Sequence, residues 1–169
     1  MSGQHIVSLI GFPGSGKSTV GVLLAKRLGC DFVDTDILIQ SREHATLAEI
    51  IAAHDHLYLR EVEQQVLLEM PLEHSVVSTG GSVVYSDAIM ARLAAHTTVV
   101  YLRAKLETVD YRISLAPDRG IASSKNQTLA DIYRERIPLY ERWADITVDV
   151  DVDAPETIAG HIEAAMDTI

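Results

Sequence analysis

The 169-residue sequence contains a single cysteine, Cys30, so no disulfide bond can form within the chain. No apolar run approaches the ~20 residues that a membrane-spanning helix needs, and the N-terminus lacks the layout of a signal peptide. These absences favour a soluble protein of the reducing cytoplasm. Cys30 follows Gly29 at a predicted helix end, and no histidine is near it in sequence. We therefore expect Cys30 to be a small core residue and not a nucleophile.

Positive charge is also scarce, since 14 lysines and arginines stand against 24 aspartates and glutamates, for a net charge of -10. Nucleic acids and anionic membranes are attracted by diffuse positive charge, so neither is an expected partner and any basic site must be local. Internal repeats and low-complexity tracts are missing as well. With 47% apolar residues the chain can bury one core. We predict a single domain over residues 1–169 that acts as a monomer.

Short β-branched runs alternate with longer segments of helical period, which is typical of parallel strands joined by crossover helices. The predicted fold class is therefore α/β, with one parallel sheet flanked by helices. Asp153 and Glu156 are spaced as a capping box for the last helix, with Pro155 in its first turn. The predicted strands cover residues 5–10, 31–34, 75–78, 97–102 and 145–150. The predicted helices cover residues 17–28, 36–42, 47–53, 57–70, 86–95, 106–115, 129–142 and 155–167.

One segment breaks this alternation. Residues 115–128, LAPDRGIASSKNQT, form a long, polar, small-residue-rich stretch that carries Arg119 and Lys125. Loops of this length inside compact domains are usually functional lids or disordered segments. The sequence favours a mobile lid over a passive loop here.

The strongest motif is GFPGSGKS, from Gly11 to Ser18, which matches GxxxxGKS. It stands between an apolar strand and an amphipathic helix, the context in which this pattern is specific. Glycines let the backbone curl so that successive N–H groups and the helix N-terminus face phosphate. Lys17 would then reach the outer phosphates, and the Ser18 hydroxyl would bind Mg²⁺. A plain glycine-rich turn explains the glycines but not the lysine followed by serine, so we predict a nucleoside triphosphate site.

Two carboxylates, Asp34 and Asp36, follow the second predicted strand. That edge of an open parallel sheet lines the ligand crevice, so both side chains are expected near the glycine loop. Asp34 can support the Mg²⁺ shell, while Asp36 can hydrogen-bond an acceptor hydroxyl and steer its proton. An equally economical alternative is that Asp36 only caps the next helix and Asp34 is exposed.

Three further stretches allow both a structural and a functional interpretation. Arg60 and Glu63 have i,i+3 spacing, which suits either a solvated surface pair or a glutamate that orients a guanidinium. The paired glycines Gly80 and Gly81 permit close backbone approach to a ligand, or simply end a strand. The segment YRERIPLYERWAD reads by itself as a charged helix, which its proline, Pro138, would bend or interrupt.

Together these pieces resemble the shikimate kinase family, a group of small P-loop kinases related to nucleoside monophosphate kinases. The resemblance covers nearly the whole chain, in order, spacing and length. It implies transfer of the ATP γ-phosphoryl group to the 3-hydroxyl of shikimate, and a three-layer fold of five parallel strands in the order 2-3-1-4-5. The matching stretches are GFPGSGKST, DTD at 34–36, LREVE, TGG after the third strand, and ERIPLYERWAD.

The resemblance also implies roles for individual residues of this chain. The acceptor would bind between helices at about 36–71 and the lid, with Glu63 orienting the two arginines. The implied catalytic residues are Lys17, Asp36 and Arg119, the last as the lid arginine. ATP would contact Gly14, Ser15, Gly16, Lys17, Ser18, Thr19, Arg112, Arg119 and Pro155. Shikimate would contact Asp36, Gly80 and Gly81, with its carboxylate on Arg60 and Arg136, and Mg²⁺ would be bound by Ser18 and, through water, Asp34.

The chain departs from the family pattern at three places. Ser82 stands where the family usually has a third glycine, Leu59 replaces the aromatic residue before the substrate arginine, and Gly120-Ile121 follows Arg119 in place of Pro-Leu. A kinase of another small hydroxy acid or polyol is the nearest alternative. A nucleoside monophosphate kinase would need more positive charge for its acceptor, and a non-catalytic nucleotide-dependent switch would not need Asp36 and the paired arginines.

Overall fold

A computed structural model describes residues 5–116, 121 and 123–169. Its centre is a five-stranded parallel sheet in the order β2-β3-β1-β4-β5, which confirms the predicted architecture and strand order. Every neighbouring pair is parallel; β1 pairs with β3 through Val7 and Val76, and with β4 through Leu9 and Val100. The strands are β1 (Ile6–Ile10), β2 (Asp31–Asp34), β3 (Ser75–Ser78), β4 (Thr98–Arg103) and β5 (Ile146–Asp149).

Eight α-helices and one short 3-10 helix flank the sheet within the described residues, and each α-helix matches a predicted one to within a residue or so. The 3-10 helix, Val83–Tyr85, follows β3 and was not predicted. The α-helices are α1 (Lys17–Leu28), α2 (Thr35–Glu43), α3 (Leu47–Ala53), α4 (His56–Glu69), α5 (Asp87–His96), α6 (Leu106–Ser114), α7 (Leu129–Trp143) and α8 (Pro155–Met166).

The burial pattern explains why these segments form a doubly covered sheet. All four residues of β3 are buried, as are four of five in β1, because helices cover both faces of the central strands. Strand β5 is at an edge and alternates buried and exposed residues. Helices α2–α4 pack around a small cluster of their own, separate from the main core, formed by Ile39, Ile50, Leu59, Val62 and Val66.

Cys30 is partly buried against the main core, as predicted. Burial raises the pKa of its thiol, and the charge of Asp31 adds to the shift. Both effects disfavour the nucleophilic thiolate. Among the described residues, no helix is both long enough and apolar enough to span a bilayer.

The predicted capping box at the start of α8 is wrong. The N-cap residue is Ala154, whose backbone is extended, and it makes no side-chain cap. Pro155 forces this arrangement because the residue before a proline is driven out of the helical region. The Asp153 carboxylate instead lies 3.8 Å from Nδ1 of His161. Pro138 does not interrupt α7, which continues through it.

Five of the fourteen residues of the predicted lid, 115–128, fall outside the described residues. Arg119, Gly120 and the rest of 117–120, together with residue 122, are not among them. Closer to α7, the backbone N–H of Gln127 donates to the carbonyl of Ser124 at 3.2 Å. Thr128 and Asp131 then form a capping box that starts α7.

Gly21 provides a test of how tightly α1 packs on the sheet. A Cβ atom at Gly21 would lie 2.6 Å from Cε2 of Phe32 and 3.2 Å from Cδ1 of Leu9, whereas at Gly160 in α8 the nearest heavy atom, on Arg27, would be 3.6 Å away. We expect Gly21→Ala to lower the free energy of unfolding by about 1–3 kcal/mol through overpacking. The matched control Gly160→Ala should raise it by about 0.5–1 kcal/mol through helix propensity. Urea unfolding of both variants measures this, and equal stabilisation would contradict the packing account.

Candidate active site

A cavity of about 800 Å³ opens at the carboxyl ends of β1, β2 and β3. The glycine loop and the start of α1 form one wall, α2 and α4 a second, and the turn after β3 with α7 a third. This is the crevice position expected for an open parallel sheet. Thirteen of the predicted site residues line it: Gly14, Ser15, Gly16, Lys17, Ser18, Thr19, Asp34, Asp36, Gly80, Gly81, Arg112, Arg136 and Pro155.

The glycine loop has the curled backbone that phosphate binding needs. Gly11, Gly14 and Gly16 have φ values of 152°, 88° and 93°, which residues other than glycine rarely adopt. Gly16 is the N-cap residue of α1 and has no side chain with which to cap it, so the helix N-terminus is open to the cavity. The Lys17 ammonium donates to the carbonyls of Gly11 at 2.7 Å and Phe12 at 3.1 Å. The lysine is thus held beside the loop that its charge would serve.

Asp34 has two functions that the sequence did not separate. Its Oδ1 accepts from the backbone N–H of Asp36 at 2.9 Å, so Asp34, and not Asp36, caps α2. Its Oδ2 accepts from the Ser18 hydroxyl at 2.5 Å. The alternative that Asp36 caps the helix while Asp34 is exposed is therefore wrong, because α2 begins one residue earlier than predicted.

The paired oxygens of Ser18 and Asp34 suit Mg²⁺, a hard cation that usually takes one or two protein ligands beside substrate phosphates and water. Among the described residues, no cluster of three or more His, Cys, Asp or Glu side chains could hold a metal by itself. A dedicated protein cage is thus excluded for that part of the chain, and the donor set that is present fits a metal delivered with nucleotide.

Arg112 connects the glycine loop with the end of β5. Its guanidinium donates to the carbonyl of Gly14 and to that of Val150, each at 3.1 Å. Arg112 and Pro155 both line the cavity. A flat guanidinium and a proline ring on one wall suit a planar base.

Asp36, Glu63 and Gly80 meet on the opposite side. A Cβ atom at Gly80 would overlap Oε2 of Glu63 and lie 3.1 Å from Oδ1 of Asp36. Only glycine therefore lets two carboxylates approach this turn. The expectation that Glu63 belongs to a solvated surface pair is wrong, since its exposure is 4%.

The environment of Glu63 favours a proton on it. Burial raises the pKa of the Glu63 carboxyl to about 7, and the charge of Asp36 adds to the shift. The Ser82 hydroxyl, which donates to Oε1 at 2.9 Å, opposes the shift, as do the charges of Arg136 and Arg60. At the position where the family usually has a third glycine, the Ser82 side chain thus adds a hydrogen bond to the buried carboxyl.

Arg136 is the most unusual residue of the site, because its exposure is 1%. A Cβ atom at Gly81 would lie 3.1 Å from its Nη1, so the guanidinium is against the turn that follows β3. Tyr140, one turn further along α7, donates to the carbonyl of Gly81 at 2.5 Å and stacks on Tyr101. Helix α7, which by sequence alone reads as a charged helix, is therefore amphipathic, and its buried face carries the Arg136 cation.

Arg60 is half-buried but is not among the cavity-lining residues. Its guanidinium carbon lies 3.9 Å from the ring centroid of Tyr85, in the 3-10 helix. Sequence reasoning missed Tyr85, because the run SVVY looks like the approach to α5. Of the predicted site residues, Arg119 alone lies outside the described residues. The binding and catalytic roles of all these residues stay predictions.

Glu63 leads to a testable pH dependence of stability. Between its unfolded value of 4.5 and about 7 in the folded protein, the folded state binds more protons at this site than the unfolded state does. Its contribution to stability is therefore full below pH 4.5 and is lost as the pH rises through 7. We expect the wild type to lose roughly 2 kcal/mol more than Glu63→Gln between pH 5 and 8 in urea titrations.

The control is Glu61→Gln, an exposed position on the same helix, which should follow the wild type across the pH range. Parallel curves for the wild type and Glu63→Gln would contradict the assignment of a raised pKa to Glu63.

Comparison with known proteins agrees with this geometry. The family model described as shikimate kinase matches residues 13–167. A shikimate kinase of Mycobacterium avium is 39% identical over 159 residues, covering 91% of this chain and 89% of the relative. One from Thermodesulfovibrio yellowstonii is 34% identical over 159 residues, with 92% and 91% coverage.

A solved structure shows the same architecture. The shikimate kinase from Acinetobacter baumannii in complex with shikimate superposes with a TM-score of 0.89 at 28% identity, covering 97% of this chain and 94% of that one. The matched range begins within the glycine loop and includes Asp34, Asp36, Arg60 and Arg136. This chain belongs to the shikimate kinase family.

Proposed function

We propose that this protein is a shikimate kinase that converts ATP and shikimate to ADP and shikimate 3-phosphate, a step of aromatic amino acid biosynthesis. One observation carries the proposal: the buried guanidinium of Arg136 shares a cavity with the glycine loop. A guanidinium in that position presents a planar fork of donors that can bind the carboxylate of an acceptor opposite the nucleotide.

On the nucleotide side, the loop backbone from Gly14 to Thr19 would hold the phosphates, with Lys17 on the outer ones. The buried hydroxyl of Ser15 has no hydrogen-bond partner among the described residues and is available to a ligand. Arg112 and Pro155 would flank the adenine. We propose that Mg²⁺ accompanies ATP, with Ser18 as a ligand and Asp34 behind it, and when bound it neutralises charge on the phosphates.

On the acceptor side, Arg60 and Arg136 would bind the carboxylate. Guanidinium offers a planar fork that matches two carboxylate oxygens. Gly80 and Gly81 leave room for a ring against the backbone, and Asp36 is beside them to receive a hydroxyl. The hydroxyl would then lie between the acceptor clamp and the phosphate loop.

Catalysis would then depend on positioning and on charge neutralisation, since phosphoryl transfer needs little covalent assistance from the protein. Asp36 would align the attacking hydroxyl and accept its proton, and Lys17 would stabilise the migrating phosphoryl group. The family resemblance implies that Arg119 would add a second positive charge near the phosphoryl group when the lid closes and excludes water. We further propose that the enzyme works as a cytoplasmic monomer without nucleic acid or membrane partners, in keeping with its net charge of -10.

The phosphate loop is tested by Lys17→Ala. We expect ADP release in the presence of shikimate to fall at least about 100-fold, because a charge-stabilising donor is lost. Circular dichroism and thermal unfolding should show a folded protein. The control is Lys26→Ala, an exposed position on the same helix, which should keep wild-type turnover. Wild-type turnover in Lys17→Ala would disprove the nucleotide assignment.

The acceptor clamp is tested by Arg60→Ala and Arg136→Ala, with lysine variants at both positions. Truncating one member of a buried charge pair should weaken shikimate binding by about 2–5 kcal/mol. Lysine should fail to restore it, since an ammonium cannot reproduce the guanidinium fork. Calorimetric titration with shikimate measures the loss.

Arg134→Lys is the matched control for the clamp, because Arg134 is exposed on the same helix and pairs with Asp131. It should bind shikimate as the wild type does. Full affinity in Arg136→Lys would show that point charge alone is sufficient and that the two arginines do not act as a fork.

A further inference from the structure

We propose that Tyr85 is a positioning residue that holds Arg60 and Arg136 together as one anion-binding pair. The inference rests on the proposed function, in which these arginines bind the acceptor carboxylate. Tyr85 ends the 3-10 helix Val83–Tyr85 and is only partly buried. The ring contacts and side-chain hydrogen bonds of Tyr85 involve Arg60, Arg136 and Glu135. The proposed role is therefore to position the two arginines and not to take part in phosphoryl transfer.

Both guanidiniums converge on the Tyr85 side chain. The guanidinium carbon of Arg60 is 3.9 Å from the ring centroid, and that of Arg136 is 5.2 Å from it. Nε of Arg136 also donates to the Tyr85 hydroxyl at 3.3 Å. One aromatic side chain thus contacts both cations, one through its face and the other through its oxygen as well.

Two like charges at close range repel, so something must make their proximity tolerable. Burial lowers the pKa of Arg60, and the charge of Arg136 lowers it further. The negative face of an aromatic ring attracts a cation placed over it, most strongly when water is excluded. Tyr85 therefore compensates the repulsion on one side of the pair, as the Glu63 carboxyl does from α4.

The Tyr85 ring is itself fixed at both ends. Its backbone follows Val83 and Val84, which are fully buried or nearly so. Its hydroxyl donates to Glu135 on α7, and the other carboxylate oxygen of Glu135 accepts from Gln127 at 3.0 Å. A ring held in this way can orient a guanidinium, which a freely rotating side chain could not do.

The position of the 3-10 helix explains how one residue reaches both arginines. Arg60 is on α4 and Arg136 on α7, and the 3-10 helix packs against both of these helices. The ring spans the junction between the two arginine-bearing helices. A pair oriented before the acceptor arrives loses less side-chain entropy on binding, so the effect should appear in acceptor affinity.

The kinetic test compares Tyr85→Leu and Tyr85→Phe with the wild type. Loss of the ring in Tyr85→Leu should raise KM for shikimate about 5- to 30-fold, the range of a partly desolvated cation–π contact. The values of kcat and of KM for ATP should stay within about twofold. Tyr85→Phe keeps the ring over Arg60 and loses the hydroxyl bond to Arg136, so its KM should be intermediate.

Tyr58→Phe is the matched control. Tyr58 is on α4, and its hydroxyl donates to Glu43 at 2.9 Å, outside the cavity. This variant removes a tyrosine–glutamate hydrogen bond of the same kind without touching either arginine. Its kinetic constants should equal those of the wild type, which separates positioning of the pair from a general loss of stability.

A second measurement does not depend on turnover. In nitrogen-15 spectra, the Nε–Hε signals of Arg60 and Arg136 can be assigned from Arg60→Lys and Arg136→Lys. Tyr85→Phe should shift mainly the Arg136 signal, and Tyr85→Leu both, whereas Tyr58→Phe should shift neither. If the wild type fails to phosphorylate shikimate, the proposed function is wrong, and these spectra still decide whether Tyr85 orients the pair.

Three results would overturn the inference. Unmoved arginine signals in Tyr85→Leu would show that the ring does not hold the guanidiniums. A shikimate KM that is unchanged or lower in Tyr85→Leu would show that the ring contributes nothing to acceptor binding, or withdraws Arg60 from it. A parallel fall of kcat and rise of both KM values would assign Tyr85 to structure alone.

Discussion

The burial of one guanidinium, that of Arg136, constrains the whole acceptor side of this molecule. At 1% exposure the charge has lost nearly all contact with water, so its surroundings must supply compensation. The compensating groups come from separate parts of the chain. They are the Tyr85 hydroxyl in the 3-10 helix, the Phe12 ring in the glycine loop, whose centroid is 5.8 Å from the guanidinium carbon, and the Glu63 carboxyl on α4, whose pKa Arg136 lowers. The Arg136 guanidinium thus contacts both the glycine loop and the 3-10 helix after β3. These groups already surround it without a ligand.

The two halves of the cavity depend on different kinds of interaction. The nucleotide half relies on backbone groups, and its requirements are conformational: left-handed glycines and an open helix N-terminus. The acceptor half relies on side-chain charge, and its requirements are electrostatic. In a protein with a net charge of -10, such a local pair of guanidiniums favours a small anion over a polyanion, which the overall negative charge would repel.

The sequence predicted what depends on local pattern. Helix and strand positions follow from hydrophobic period, and the phosphate loop follows from a motif within eight residues. The strand order was implied by the resemblance to the shikimate kinase family and not by these patterns. The predictions that were wrong concern positions where two local signals compete, or side chains whose partners are far away in sequence. Pro155 moved the α8 cap from Asp153 to Ala154, and the early start of α2 made Asp34 the cap. The Arg136 environment was hidden because its partners are dozens of residues away, and Tyr85 gave no signal because its role exists only once α4 and α7 have met. Burial of Glu63 likewise follows from helix packing and not from i,i+3 spacing.

The central claim is that this pocket selects its acceptor by a carboxylate held between two guanidiniums. The most direct measurement is ADP release by the wild-type enzyme with shikimate, with its decarboxylated analogue, with ring-opened hydroxy acids and with neutral polyols. The account predicts turnover with shikimate that is lost when the carboxylate is removed. A neutral polyol that outperforms every carboxylate would contradict it, and the two arginines would then have to be assigned to phosphate binding or to structure.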